Sequence, residues 1–222
     1  MTGVLDPIHA YRLNRLDLAL PDGQPVRWAL NWLYGTNLPD RVYGPNLALK
    51  LCERLAAEGL PLYLYGSKHE VLDRLAANMT GRFPRLQIAG MQPSKFRQLS
   101  IEEKAQVVEA IRASGARLVF VGLGCPRQEV WVYEHLACLT MPLVAVGAAF
   151  DFHAGTQKQA PEWLQRMGLE WLYRLVHEPR RLWKRYLLLN PHYVYLVLLQ
   201  WLRLRSFPVL VSQPPQDELR YG

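Results

Sequence analysis

Between residues 17 and 152 the chain repeats one pattern. A short, nearly continuous apolar run is followed by a longer stretch whose apolar residues recur near a 3.6 period. The runs are Asp17–Leu20, Pro61–Tyr65, Leu86–Ala89, Arg117–Val121 and Leu143–Val146, and the stretches are Asn46–Glu58, His69–Arg82, Ile101–Ser114 and Arg127–Leu139. Apolar runs this short, without polar alternation, suit strands covered on both faces, and such strands separated by helices build a parallel sheet. The pattern predicts an α/β fold over residues 1–160: a Rossmann-like parallel sheet with helices on both faces. Gly59 and Gly115 punctuate the ends of two helical stretches, and Pro126 suits the first turn of another.

After Phe152 the texture changes to Trp-, Leu- and Arg-rich sequence without strand signals. Pro161, Pro179 and Pro191 are expected to divide residues 161–206 into three short helices, leaving 207–222 as a flexible tail. Charge separates the regions as well. Residues 166–205 hold eight Lys/Arg against Glu170 and Glu178, which accounts for six of the seven net positive charges. An anionic surface should therefore meet this quarter of the chain. Aromatic anchors, an apolar run at Tyr193–Leu199 and flanking Arg203 and Arg205 describe a basic amphipathic appendage lying on a membrane. An oligomer interface and a core helix packed on the sheet are the alternatives. No nucleic-acid-binding motif accompanies the basic residues.

Half of the residues are hydrophobic, which excludes a disordered chain. Three widely spaced cysteines, Cys52, Cys125 and Cys138, form neither a disulfide framework nor a CxxC zinc knuckle, as expected for a reducing cytoplasm. The first residues lack the pattern of a signal peptide. The longest apolar run is also far short of the roughly 20 residues that span a bilayer.

Ligands of an open parallel sheet bind beyond the carboxyl ends of its strands. Four loops are expected at that edge: Leu20–Gly23, Tyr65–Lys68, Gly122–Glu129 and Gly147–Phe152. Gly66-Ser67 and Gly122-Leu-Gly124 would let backbone N–H groups approach a phosphate, although strand-to-helix turns use glycine for sterics alone equally often. Because Gly124 is followed by Cys-Pro-Arg, the full dinucleotide fingerprint is absent. Asp22, between Pro21 and Gly23, reads on spacing alone as a turn aspartate; its functional reading is a general base. Asp151 is either a loop or cap residue or an acceptor for ligand N–H and hydroxyl groups. Gln128 and Glu129 start a helix, and Gln128 is the one expected to turn toward a ligand. The six histidines are scattered, and no HExxH, Asp-x-Asp, GxSxG or Walker A sequence occurs, so neither a metal nor a cofactor is indicated.

Taken in order, the segments Asp6-Pro7, Leu20-Pro-Asp-Gly23, Arg41-Val-Tyr-Gly44, Leu64-Tyr-Gly-Ser67, Val121–Glu129, Val146–Phe152, Ala160-Pro161, Gly168–Leu175 and Glu178–Leu182 resemble the WecG/TagA/CpsF family of bacterial glycosyltransferases. The resemblance covers about residues 6–205. It implies an inverting, metal-independent transferase on the cytoplasmic face of the plasma membrane. Such enzymes move a sugar, often of the N-acetylmannosamine type, from a UDP-sugar to a polyprenyl-diphosphate-linked acceptor used for cell-surface polysaccharide or teichoic acid. By this resemblance Asp22 is the base, and Arg41 and Gln128 are polar active-site positions. Gly66, Ser67, Gly122, Gly124 and Asp151 lie near the donor, while Arg174, Arg181 and Lys184 neutralise the departing diphosphate. Lys184 stands where an arginine occurs in relatives, keeping the charge without the bidentate fork. Relatives also begin one strand earlier, with a Thr-Pro-Asn-like segment that this sequence lacks, so either the true start lies further upstream or the site is incomplete. Two rival expectations follow: an inactive, truncated homologue that only docks on membranes or partners, and a nicotinamide-dependent oxidoreductase, which would need the missing fingerprint.

Overall fold

The computed structural model describes residues 2–207 and 214–222, apart from the side chains of Thr2, Arg181 and Arg185. Four strands, β1 (Leu62–Gly66), β2 (Ile88–Gln92), β3 (Leu118–Gly122) and β4 (Leu143–Ala145), form one all-parallel sheet in the order β2-β1-β3-β4. β1 pairs in register with β3 from Leu62↔Leu118 to Gly66↔Gly122. Helices α4 (Gly44–Glu58), α5 (His69–Arg82), α6 (Ile101–Ala113), α7 (Arg127–His135) and α8 (Ala149–His153) alternate with the strands. This is the α/β, Rossmann-like arrangement that the alternation of runs predicts.

Side-chain alternation divides the core into two layers. Leu62, Leu64, Leu118 and Phe120 point to the face covered by α4, α5 and α8, where Cys52, Leu72 and Phe150 close the packing. Tyr63, Tyr65, Val119 and Val121 point to the opposite face, against Val107 and Ile111 of α6 and Trp131 of α7. The central strands are buried on both sides, which explains why their sequences are apolar at successive positions. Each such side chain contributes roughly 1.5–3 kcal/mol on burial. The start of α6 is fixed by a reciprocal cap. Ser100 Oγ accepts from Glu103 N at 3.1 Å, and Glu103 Oε2 accepts from Ser100 N at 2.9 Å.

The described residues gather into two compact units. One comprises 12–17, 44–158 and 214–222 and contains the sheet; the other comprises 2–11, 18–43 and 159–207. The second unit is helical: α1 (Thr2–Leu5), α2 (Pro7–Leu13), which runs on into the first unit, α3 (Gln24–Tyr34), α9 (Glu162–Arg166), α10 (Glu170–His177) and α11 (Pro179–Trp201). The grouping thus joins α3 to the helices after residue 159 rather than cutting the chain once near residue 160.

Three expectations are corrected. Asp17–Leu20 is not a strand: Leu18 and Leu20 are exposed and the segment joins no ladder. It is too short and too solvated to recruit a partner. Secondly, α11 continues through Pro191. Proline removes one helical hydrogen bond, but contacts beyond it hold the helix against α3. Tyr193 Oη donates to Pro25 O at 3.1 Å, Gln200 Nε2 donates to Tyr34 Oη at 2.6 Å, and the Trp32 and Trp201 rings stack at 4.9 Å. Thirdly, residues 214–222 of the expected tail are docked on the sheet unit, while 208–213 lie outside the described residues. Leu219 N and Arg220 N both donate to the buried Glu134 carboxylate, at 2.6 and 2.9 Å. Lys104 Nζ donates to Glu218 Oε1 at 2.6 Å, and Ser94 Oγ donates to Gly222 O at 2.6 Å. A buried carboxylate and a buried ammonium require such partners, and this segment supplies them.

Candidate functional site

In the sheet unit the strand order reverses between β1 and β3, since β2 lies on one side of the pair and β4 on the other. That reversal opens a crevice at the carboxyl ends of these two strands, where ligands of such sheets bind. Gly66 and Gly122 stand opposite each other there. A Cβ on Gly66, whose φ is 108°, would lie 2.9 Å from the carbonyl carbon of Gly122, and a Cβ on Gly122 would run into the Phe150 ring. Both residues are therefore glycine because the crevice floor is tightly packed. Ser67 follows with φ 58°, a left-handed conformation uncommon for serine, and its carbonyl accepts from Ser94 N at 2.9 Å. Around Gly124 there is open space instead, and its carbonyl accepts from Gln128 N at 3.0 Å, starting α7.

Gln128 is buried, with its side chain against Gly147. Its Nε2 donates to Glu129 Oε1 at 3.1 Å, whereas Gln128 Oε1 and Glu129 Oε2 are both buried without a hydrogen-bond partner. Two neighbouring acceptors left unsatisfied at a ligand-binding edge suit a ligand bearing N–H or hydroxyl donors. Asp151 lies on the five-residue α8, where its Oδ1 accepts from Thr156 Oγ1 at 3.2 Å. The fold thus brings Gly66, Ser67, Gly122, Gly124, Gln128 and Asp151 to one edge of one sheet. Glu129 joins them, a residue that sequence reasoning treats as a helix-start acid.

The helical unit carries the remaining candidates. Asp22 is exposed, in the loop preceding α3. Gly23 occupies the N-cap position of α3 with extended backbone, so the aspartate itself is not the cap. Its loop is fixed through backbone: Val42 N donates to Pro21 O at 3.0 Å, and Arg41 Nη1 donates to Asp22 O at 3.3 Å.

Arg41 is buried, with only 8% of its side chain exposed. Its Nη2 donates to Glu170 Oε2 at 2.7 Å and to Gln165 Oε1 at 3.0 Å, and its guanidinium lies 3.8 Å from the centroid of the Tyr43 ring. Tyr43 Oη donates to the other Glu170 oxygen at 2.9 Å. Burial, reinforced by the Glu170 charge, pushes the Tyr43 phenol well above its ordinary range, so it remains a donor. Asp40, next in the loop, is held below the usual carboxylate range, first by the Arg41 backbone N–H and then by Gln24. Glu170, Tyr43 and Gln165 are functional candidates that the site reading misses. Tyr43 and Glu170 do lie inside the family-like segments Arg41–Gly44 and Gly168–Leu175, which is the sequence signal that marks them.

Arg174 lies one turn beyond Glu170 on α10, partly buried, with Nε unpartnered. Lys184 is exposed on α11, its ammonium 5.4 Å from the Trp183 ring centroid. Arg181 lies on the same helix, but its side chain is outside the described residues. Gly168 sets the turn between α9 and α10 with φ 71°, and a Cβ there would meet the Trp28 ring at 2.6 Å. Around these cations α10 and α11 leave Val176, Trp183, Leu187, Leu188 and Val194 about half or more exposed. Among the described residues no helix is long and apolar enough to cross a membrane. The family model described as the Glycosyl transferase WecG/TagA/CpsF family matches residues 1–207.

Proposed function

On the premise that the chain belongs to the glycosyl transferase WecG/TagA/CpsF family, we propose that it transfers a sugar from a UDP-sugar to a polyprenyl-diphosphate-linked acceptor, with inversion and without a metal ion. The observation that carries this reading is an exposed carboxylate, Asp22, on a loop pinned by a buried ion pair. In the proposed step the acceptor hydroxyl oxygen forms a bond to the anomeric carbon of the donor. The bond from that carbon to the diphosphate oxygen breaks, UDP leaves with the electron pair, and Asp22 takes the hydroxyl proton. Approach from the face opposite the leaving group inverts the centre.

The loops carrying Gly66, Ser67, Gly124, Gln128 and Asp151 hold the donor in this reading. Gln128 Oε1 and Glu129 Oε2 supply acceptors for its hydroxyl or N–H groups, which supports a ligand rich in such donors. Arg174, Arg181 and Lys184 neutralise the diphosphate, supported by the concentration of positive charge in residues 166–205. The exposed apolar side chains beside those cations support peripheral attachment to the inner face of the plasma membrane, where a lipid-linked acceptor resides.

Two measurements test the reading. Calorimetric titration with UDP should show binding that magnesium leaves unchanged; a strict magnesium requirement would overturn the metal-independent step. Release of UDP from UDP-N-acetylmannosamine, with a polyprenyl-diphosphate-linked amino sugar as acceptor, should fall about 10²–10⁴-fold in Asp22→Asn. Equal turnover by that variant would remove Asp22 from the chemistry.

A further inference from the structure

We infer that Glu170 is a positioning residue for Asp22, acting through Arg41, and that Arg41 itself touches no substrate. The inference rests on the reading of Asp22 as the base and extends it to side chains that hold that base in place.

The guanidinium of Arg41 is already committed. Nη1 donates to the backbone oxygen of Asp22, Nη2 is shared between Gln165 and Glu170, and one face is covered by Tyr43. With 8% of the side chain exposed, little of the cation faces solvent or an anionic ligand. Glu170 is equally committed, one oxygen to Arg41 and the other to the Tyr43 hydroxyl. Gln165 is oriented in turn, because its Nε2 donates to Ala160 O at 2.7 Å and its Oε1 is left to face Arg41. Through Arg41 the network reaches the backbone oxygen of Asp22, and the adjacent bond from Val42 N to Pro21 O fixes the same loop. The result is a fixed backbone beneath an exposed carboxylate. Proton abstraction requires that geometry, since a displacement of about 1 Å at a reacting group costs on the order of 10²-fold in rate.

Glu170 also opens α10, the helix that bears Arg174 four residues later on the same face. The placement of the base is thereby tied to the helix that carries a diphosphate-binding candidate. This accounts for a buried ion pair where a hydrophobic contact would stabilise the fold as well: the pair specifies one loop position.

Glu170→Gln, compared with Asp22→Asn and with the double variant, tests the inference in the full chain. The single variant should lose about 10-fold to 10²-fold in kcat, the range of a misplaced group, with UDP affinity unchanged by calorimetry. The double variant should be no slower than Asp22→Asn alone, because a carboxamide cannot accept the hydroxyl proton from any position. Wild-type kcat in Glu170→Gln beside an inactive Asp22→Asn overturns the positioning role and leaves the base reading standing. Losses that multiply in the double variant overturn it too. Full turnover in Asp22→Asn overturns the base reading itself, and this inference with it. If Glu170→Gln does not fold, Tyr43→Phe carries the test, since it removes one hydrogen bond to Glu170 and keeps the ring over Arg41. A kcat loss with unchanged UDP affinity in that variant supports the lock, and a wild-type kcat overturns it.

Discussion

Gly122 lies directly beneath the ring of Phe150, so that α8 rests on the end of β3 with no side chain between them. The contact is at once packing and site geometry, because the same strand end leads into Gly124 and Gln128. Gly122→Ala should displace Phe150, at a cost of about 1–3 kcal/mol for overpacking. Denaturation and UDP titration should show lower stability and weaker binding together. Unchanged affinity at reduced stability would separate the loop from ligand binding.

His135 is buried against Trp131, with ring centroids 3.8 Å apart and Nδ1 within 2.7 Å of Trp131 O. Burial lowers its pKa to about 4, against 6.5 for a free imidazole. Below about 6.5 the unfolded chain takes up a proton that the folded chain refuses, so stability present above that pH is lost as it falls toward about 4. Buried Glu134 shifts the opposite way, also mainly through burial, which favours the fold on acidification. The comparison that isolates the histidine is with His135→Leu: the wild-type melting temperature should fall more steeply between pH 6.5 and 4. Parallel curves would refute the assignment.

The proposed membrane attachment would carry a charge signature. Lys184 and Arg203 are exposed on or beside α11. Changing both to glutamine should weaken binding to phosphatidylglycerol vesicles by about 1 kcal/mol each, and high salt should mimic the effect. Sedimentation with neutral vesicles serves as the control. Equal binding to both vesicle types would point to apolar insertion through Leu187 and Leu188 instead.

Docking of residues 214–222 predicts a stability effect within the sheet unit. Glu134→Ala removes the carboxylate that accepts from Leu219 N and Arg220 N, while the bond from Lys104 Nζ to the backbone oxygen at this position is kept. The variant should lose about 1–3 kcal/mol, and limited proteolysis should release the segment first. Resistance equal to wild type would show that Glu134 does not hold it.

Much of the sheet is legible in the sequence because its signal is local. β1 and β3 are buried on both faces, so each reads as an uninterrupted apolar run, and the helices between them keep one apolar stripe. Asp17–Leu20 has the same local texture, but a strand also needs a partner, and pairing is not written in four residues. The passage of α11 through Pro191 was hidden for a related reason, since Tyr193, Gln200 and Trp201 hold the helix through contacts with α3. At the candidate site Gln128 was readable from its place after a glycine loop. Glu170 was marked only by lying inside Gly168–Leu175, and its ion pair with Arg41, 129 positions earlier, is a long-range contact that no local pattern shows.

The docked residues 214–222 return the chain to the unit it leaves at residue 158. Neither unit is a continuous stretch of polypeptide, so there is no one place to cut that would yield two folding fragments. Ribosomal synthesis must also reach the last of these residues before Glu134 and Lys104 acquire their counterparts. Until that point both side chains lack the partners that their burial requires.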